Sequence, residues 1–116
     1  MNFTTEKAIY VQIADRLCDE ILTGKFADDE RIPSVREYAV LLEVNTNTTV
    51  KSYDLLEQQG VIYKKRGLGY FVTAGAKEKI LDERRREFME TRLPEMFRQM
   101  RMLGIGLEEV EKAWNE

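Results

Sequence analysis

Histidine is absent from this 116-residue chain, cysteine occurs once as Cys18, and proline occurs twice. Without histidine, the usual zinc and iron sites lose their commonest ligand, and the side chain that most often serves as a general base near neutral pH is missing. No metal or other cofactor is therefore expected. A single thiol excludes an intrachain disulfide, and its place on an amphipathic stripe favours a buried structural cysteine over a redox sensor. No apolar run approaches the roughly 18 residues of a membrane span, and the N-terminus has no apolar signal core, so a cytoplasmic protein with no membrane partner is expected. The length suits one compact domain plus an appendage, not two domains with a large ligand cavity between them.

What is present is organised around residues 32–60. Pro33 disfavours helix at Ile32, and Ser34 followed by Glu37 fits a capping box, in which each side chain satisfies a backbone N–H at the helix start. The spacing of Val35, Tyr38, Ala39 and Leu42 predicts one buried helix face. A second helix follows after about three residues, with Asn45 as its N-cap and Gly60 as its left-handed stop. Val50, Tyr53, Leu55 and Leu56 are expected to point inward. A gap this short between two helices is that of a helix-turn-helix. The second helix opens on Asn45, Thr46, Asn47, Thr48 and Thr49, a crowd of hydrogen-bonding groups suited to phosphates and base edges.

Next come two runs rich in β-branched and aromatic residues, Val61-Ile62-Tyr63 and Tyr70-Phe71-Val72-Thr73, separated by Lys64-Lys65-Arg66-Gly67-Leu68-Gly69. They predict a hairpin with a cationic tip, where Gly67 and Gly69 permit positive φ and close approach of the backbone to a phosphate chain. The fold class is α+β: a winged helix-turn-helix of three helices plus a β-hairpin wing over residues 1–74, then a short helical dimerisation segment over 75–116.

At these residues the chain resembles the GntR family of bacterial transcription regulators, in particular its short YtrA-like branch. The matching pieces are Ile9-Tyr10-Val11-Gln12-Ile13, Pro33-Ser34-Val35-Arg36, Val44-Asn45-Thr46-Asn47-Thr48, Ser52-Tyr53, Leu56-Glu57, Gly60-Val61-Ile62 and Gly67-Leu68-Gly69-Tyr70-Phe71-Val72. The resemblance implies sequence-specific binding of duplex DNA as a homodimer, with a helical tail in place of a large effector domain. It also implies that Arg36 meets a phosphate or a major-groove guanine. Two positions depart from the family pattern. Glu43 stands where members usually carry glycine in the turn, so either a left-handed residue costs roughly 1 kcal/mol or the turn is remodelled. Lys51 stands where many relatives have arginine; lacking the bidentate fork for guanine, it is expected on a phosphate.

The remaining assignments follow from chemistry. Ser34 and Asn45 act mainly as caps; Thr46, Asn47, Thr48 and Thr49 are assigned to base edges or phosphates. Lys64, Lys65 and Arg66, with the Gly67 and Gly69 backbone, follow the phosphate chain or enter the minor groove. The formal net charge is −3, yet residues 31–73 carry six cations against four carboxylates, whereas residues 1–30 carry three against seven. The positive excess falls on the proposed reading unit, which predicts salt-sensitive binding.

Residues 9–23 read as a packing helix, with Ile13, Leu17 and Ile21 on one stripe and Tyr10 and Cys18 beside it. Tyr10 is favoured as a core or dimer aromatic over a DNA contact. From about Lys77 a long helical pattern runs to Leu103, with Pro94 expected to kink or restart it, and Gly104-Ile105-Gly106 separates a last helix from Leu107. Arg84-Arg85-Arg86 is flanked by Asp82, Glu83 and Glu87 and is favoured as a solvated face rather than a second DNA contact. The methionines Met89, Met96, Met100 and Met102 are favoured as adaptable packing over a ligand pocket. A tail this short cannot cover its own apolar groups, so Ile80, Phe88, Leu93, Met96, Phe97, Met100, Leu103, Val110 and Trp114 are assigned to dimerisation. The expected partners are a double-stranded, pseudo-palindromic DNA operator and a second copy of the chain, the expected role is repression, and no effector is assigned. A winged helix that binds protein instead of DNA is the alternative. An enzyme is disfavoured, because no nucleophile and base pair, Walker loop or dinucleotide fingerprint is present.

Overall fold

A computed structural model describes residues 2–116, which fall into two compact units divided between Leu81 and Asp82. In the first unit, α1 (Ile9–Leu22) turns Ile13, Ala14, Leu17, Cys18 and Ile21 into the core, the stripe expected of its three- and four-residue spacing. Gln12 is buried on the same helix and pins the polar lead-in: its Nε2 donates to the carbonyls of Thr4 at 2.9 Å and Lys7 at 2.8 Å, while its Oε1 accepts from the Thr4 amide at 2.9 Å.

Helix α2 (Val35–Leu42) starts at the capping box read from the sequence, with Ser34 Oγ accepting from Glu37 N at 3.1 Å and Glu37 Oε1 accepting from Ser34 N at 3.0 Å. It buries Tyr38, Ala39 and Leu42. Glu43 then adopts φ 56°, ψ 47°. The turn is not remodelled: a glutamate occupies the left-handed position that glycine ordinarily fills. Helix α3 (Thr46–Gln58) follows, and Gly60 at φ 75° closes it.

Strands β1 (Ile62–Lys65) and β2 (Gly69–Val72) form the antiparallel wing, with Ile62 opposite Val72 and Lys65 opposite Gly69. A third short segment joins them, drawn from the acidic loop between α1 and α2. Asp29 N donates to Val72 O at 2.8 Å, Val72 N to Glu30 O at 3.0 Å and Ile32 N to Tyr70 O at 3.0 Å, and Arg31 bridges to Phe71. The carboxylates of that loop are used as well: Asp29 Oδ1 accepts from Tyr63 Oη at 2.8 Å and Asp28 Oδ2 from Gly75 N at 3.2 Å.

Helix α4 (Ala76–Glu87) corrects the boundary placed after residue 74. Ala76 and Ile80 are buried in the same core as Val61, Ile62 and Val72, so the first unit extends through the start of this helix. Ile80 is therefore a core residue of the single chain and not part of a dimer face.

In the second unit the helix passes through a π-helical turn, Phe88–Arg92, into α5 (Leu93–Leu103). The kink or restart expected at Pro94 takes this form because the proline ring would collide with the carbonyl four residues earlier, and the wider turn gives it room. Gly104 at φ 69° ends α5, and α6 (Leu107–Trp114) follows. Met100 is buried within the single chain, which corrects its assignment to a dimer surface. Leu93, Phe97 and Val110 are half-buried, whereas Phe88, Met89, Met96, Leu103, Leu107 and Trp114 are exposed. Arg86 pairs with Glu83 and Glu90 along the helix surface, as a solvated face would.

Candidate nucleic-acid interface

Helix α3 is held from behind by two polar ties, and a third bond closes within the helix itself. Ser52 Oγ donates to Tyr10 O of α1 at 2.7 Å, Tyr53 Oη to Pro33 O at 2.6 Å, and Thr49 Oγ1 to Asn45 O of its own first turn at 3.1 Å. The Tyr53 ring lies 6.1 Å from Tyr38 and meets Tyr70 of the wing edge-on at 5.1 Å, so the helix, its predecessor and the wing share one aromatic joint. Burial raises the pKa of the Tyr53 hydroxyl and keeps it a neutral donor.

This buttressing fixes which residues face outward. Thr49 is fully buried and its hydroxyl is returned to the backbone, so it cannot reach a groove, and its assignment to DNA is corrected. Val50, expected inside, is 40% exposed. The two errors are one: the buried stripe runs Thr49, Ser52, Tyr53 and Leu56, keeping Tyr53 and Leu56 of the stripe that hydrophobicity alone suggested but turned from Val50 toward Thr49 and Ser52. The outward face is formed by Thr46, Asn47, Val50, Lys51 and Asp54, with Thr48 half-buried at its edge. Asn45 caps the helix through Oδ1, which accepts from Asn47 N at 2.7 Å, while Ser34 is occupied in its own capping box. Both caps aim helix N-termini whose partial positive charge suits phosphate.

Arg36 is exposed in the first turn of α2. At the wing tip Lys64, Lys65, Arg66 and Gly67 are exposed, and the turn is closed by Leu68 N donating to Lys65 O at 2.9 Å. The two lysines lean on aromatic faces. Lys64 Nζ lies 5.7 Å from the Tyr70 ring and Lys65 Nζ 4.8 Å from Phe71, which is itself stacked on Tyr63. Such contacts steady long cationic chains without neutralising them.

Gly69 has φ +111°, and a Cβ there would stand 3.1 Å from Arg31 Nε. Arg31 is thus an exposed cation beside the wing, with the Glu37 carboxylate 4.0 Å away. Sequence reasoning missed it, because the pairing of residues 29–32 with β2 is long-range and leaves no local signature. Glu37 itself is held below its ordinary carboxyl pKa by the Ser34 amide first, then the Ser34 hydroxyl, with Arg31 contributing.

Among the described residues, no cluster of three or more His, Cys, Asp or Glu side chains could hold a metal ion, and no helix is long and apolar enough to cross a membrane. An outward polar helix beside a cationic hairpin defines a winged helix-turn-helix protein. Residues 9–72 match the family described as bacterial regulatory proteins, gntR family, and the chain belongs to that family. It is 33% identical over 109 residues to YhcF, an uncharacterised regulator of Bacillus subtilis strain 168, covering 94% of this chain and 88% of that protein. It is 30% identical over 104 residues to the transcriptional repressor YtrA of the same organism, covering 90% and 79%. A GntR-family transcriptional regulator from Bacteroides thetaiotaomicron has a solved structure that superposes with a TM-score of 0.80 at 50% identity, covering 93% of this chain and 94% of that one. The chain is accordingly a DNA-binding transcription regulator of the GntR type, and regulators of this type are not enzymes.

Proposed function

We propose that this protein is a homodimeric repressor that binds a pseudo-palindromic operator through α3 and the wing. The observation that carries the dimer is the exposed apolar surface of residues 82–116: Trp114 is 86% exposed, Leu103 72% and Leu107 71%. At about 1.5–3 kcal/mol for each large apolar side chain buried, a second copy that covers these groups gains far more than isolated surface residues would explain. Repression is supported by the likeness to YtrA, which is named a repressor.

Two-fold symmetry then sets the operator. Equivalent recognition helices enter major grooves about one helical turn apart, roughly 34–36 Å, so the two half-sites are spaced accordingly. Thr46, Asn47 and Lys51 face bases and phosphates from α3; Arg36 meets a phosphate or a guanine from α2; Lys64, Lys65 and Arg66 with Gly67 and Gly69 follow the backbone from the wing. The apolar tail residues Phe88, Leu93, Met96, Phe97, Leu103, Val110 and Trp114 contribute to the interface between copies. The test is to select bound fragments from the host chromosome with the purified chain and to measure its mass by sedimentation. One enriched inverted repeat and a mass twice 13.6 kDa are expected. A single-chain mass at micromolar concentration together with no enriched sequence would overturn the proposal.

A further inference from the structure

The outward face of α3 carries one aliphatic side chain that the fold does not account for. Val50 lies between Asn47 and Lys51 on that face and is 40% exposed, whereas the adjacent Thr49 is completely buried. A hydrophobic residue turned out while a threonine is turned in runs against burial preference, and the Ser52 hydroxyl, which donates to Tyr10 O of α1, ties the helix in this phase. Val50 therefore faces whatever α3 meets. In a major groove the base edges are polar almost throughout, and the thymine C5-methyl is the apolar exception.

We infer that Val50 is a specificity-determining residue that packs on a thymine methyl in each operator half-site. The inference rests on α3 reading a major groove as proposed above. Asn47, one turn earlier on the same face, is placed to read a neighbouring base or phosphate. Val50 adds discrimination at a position where a hydrogen-bond donor or acceptor is not needed: thymine is favoured over cytosine in the same strand because cytosine presents an amino group and no methyl there.

The test removes only the methyl. The duplex most enriched in the genomic selection is synthesised with deoxyuridine replacing thymidine at one symmetric pair of positions at a time, and the affinity of the full-length protein is measured for each duplex. At one pair, wild-type binding should weaken about fourfold per half-site, the worth of about 0.8 kcal/mol for one buried methyl. Val50→Ala should bind the thymine and uracil duplexes equally at that pair. Its half-exposed position makes folding of the variant a minor concern, and the wild-type scan can refute the inference without it. A wild-type scan flat at every thymine would overturn the inference while leaving operator binding intact. A sensitivity that persists in Val50→Ala would assign the methyl contact to a threonine such as Thr46 and overturn it too. Failure to recover any enriched duplex would overturn both this inference and the operator reading on which it rests.

Discussion

Replacing Glu43 by glycine should stabilise the protein, although it removes a side chain and adds nothing. Glu43 sits at φ 56°, ψ 47° just past α2, where its amide donates to Val40 O at 3.2 Å and the Val44 amide donates to Ala39 O at 3.0 Å. This is the two-bond helix ending that normally recruits glycine. The same pair of bonds closes α1 on Gly24, α3 on Gly60 and α5 on Gly104. A left-handed non-glycine residue costs about 1–2 kcal/mol, and the extra freedom that glycine gives the unfolded chain returns about 0.4–1 kcal/mol of that. The net gain for Glu43→Gly is about 0.5–1 kcal/mol. Urea unfolding at fixed protein concentration should move the midpoint up by roughly 0.3–0.7 M for a denaturant slope of about 1.5 kcal/mol per M, with the slope unchanged. Glu43→Ala keeps the Cβ and the strain, so it should stay within about 0.5 kcal/mol of wild type. A midpoint for Glu43→Gly at or below wild type would refute the assignment of strain to this turn.

Tyr53→Phe deletes the donor that meets Pro33 O at 2.6 Å and should destabilise by about 1–2 kcal/mol in the same unfolding assay; no loss would mean that the carbonyl finds another partner. Glu37 has a folded pKa below its ordinary 4.5, so its contribution is present above that value and is lost as pH falls through the lower, folded one. The thermal-stability difference between wild type and Glu37→Gln should therefore shrink on acidification from about pH 7 to about pH 3, and a constant difference would discount the charged cap. Neutralising Lys64 and Lys65 to glutamine should flatten the slope of log affinity against log salt by roughly 1–2, and an unchanged slope would remove the wing lysines from the phosphate chain. Arg36→Ala should weaken operator binding by about 1–3 kcal/mol with folding intact; unchanged affinity would reject its proposed contact.

The local signals proved sufficient for the elements. The Ser34 and Glu37 capping box, the Asn45 cap, the glycine stops and the alternation from helical to β-branched runs each depend on residues a few positions apart, so the chain itself specifies where α1, α2, α3 and the wing begin and end. Tertiary packing decided what periodicity could not. The phase of α3 was set by α1 and α2 pressing on it from one side. A threonine and a serine can occupy that side because their hydroxyls return to nearby carbonyls, leaving Val50 outside. Long-range pairing likewise turned an acidic loop into the third segment of the wing and brought Arg31 against Gly69. Ile80 went into the core of the first unit for the same kind of reason: which face of an amphipathic helix is covered depends on its neighbour, and a neighbour distant in sequence leaves no mark on the helix's own pattern.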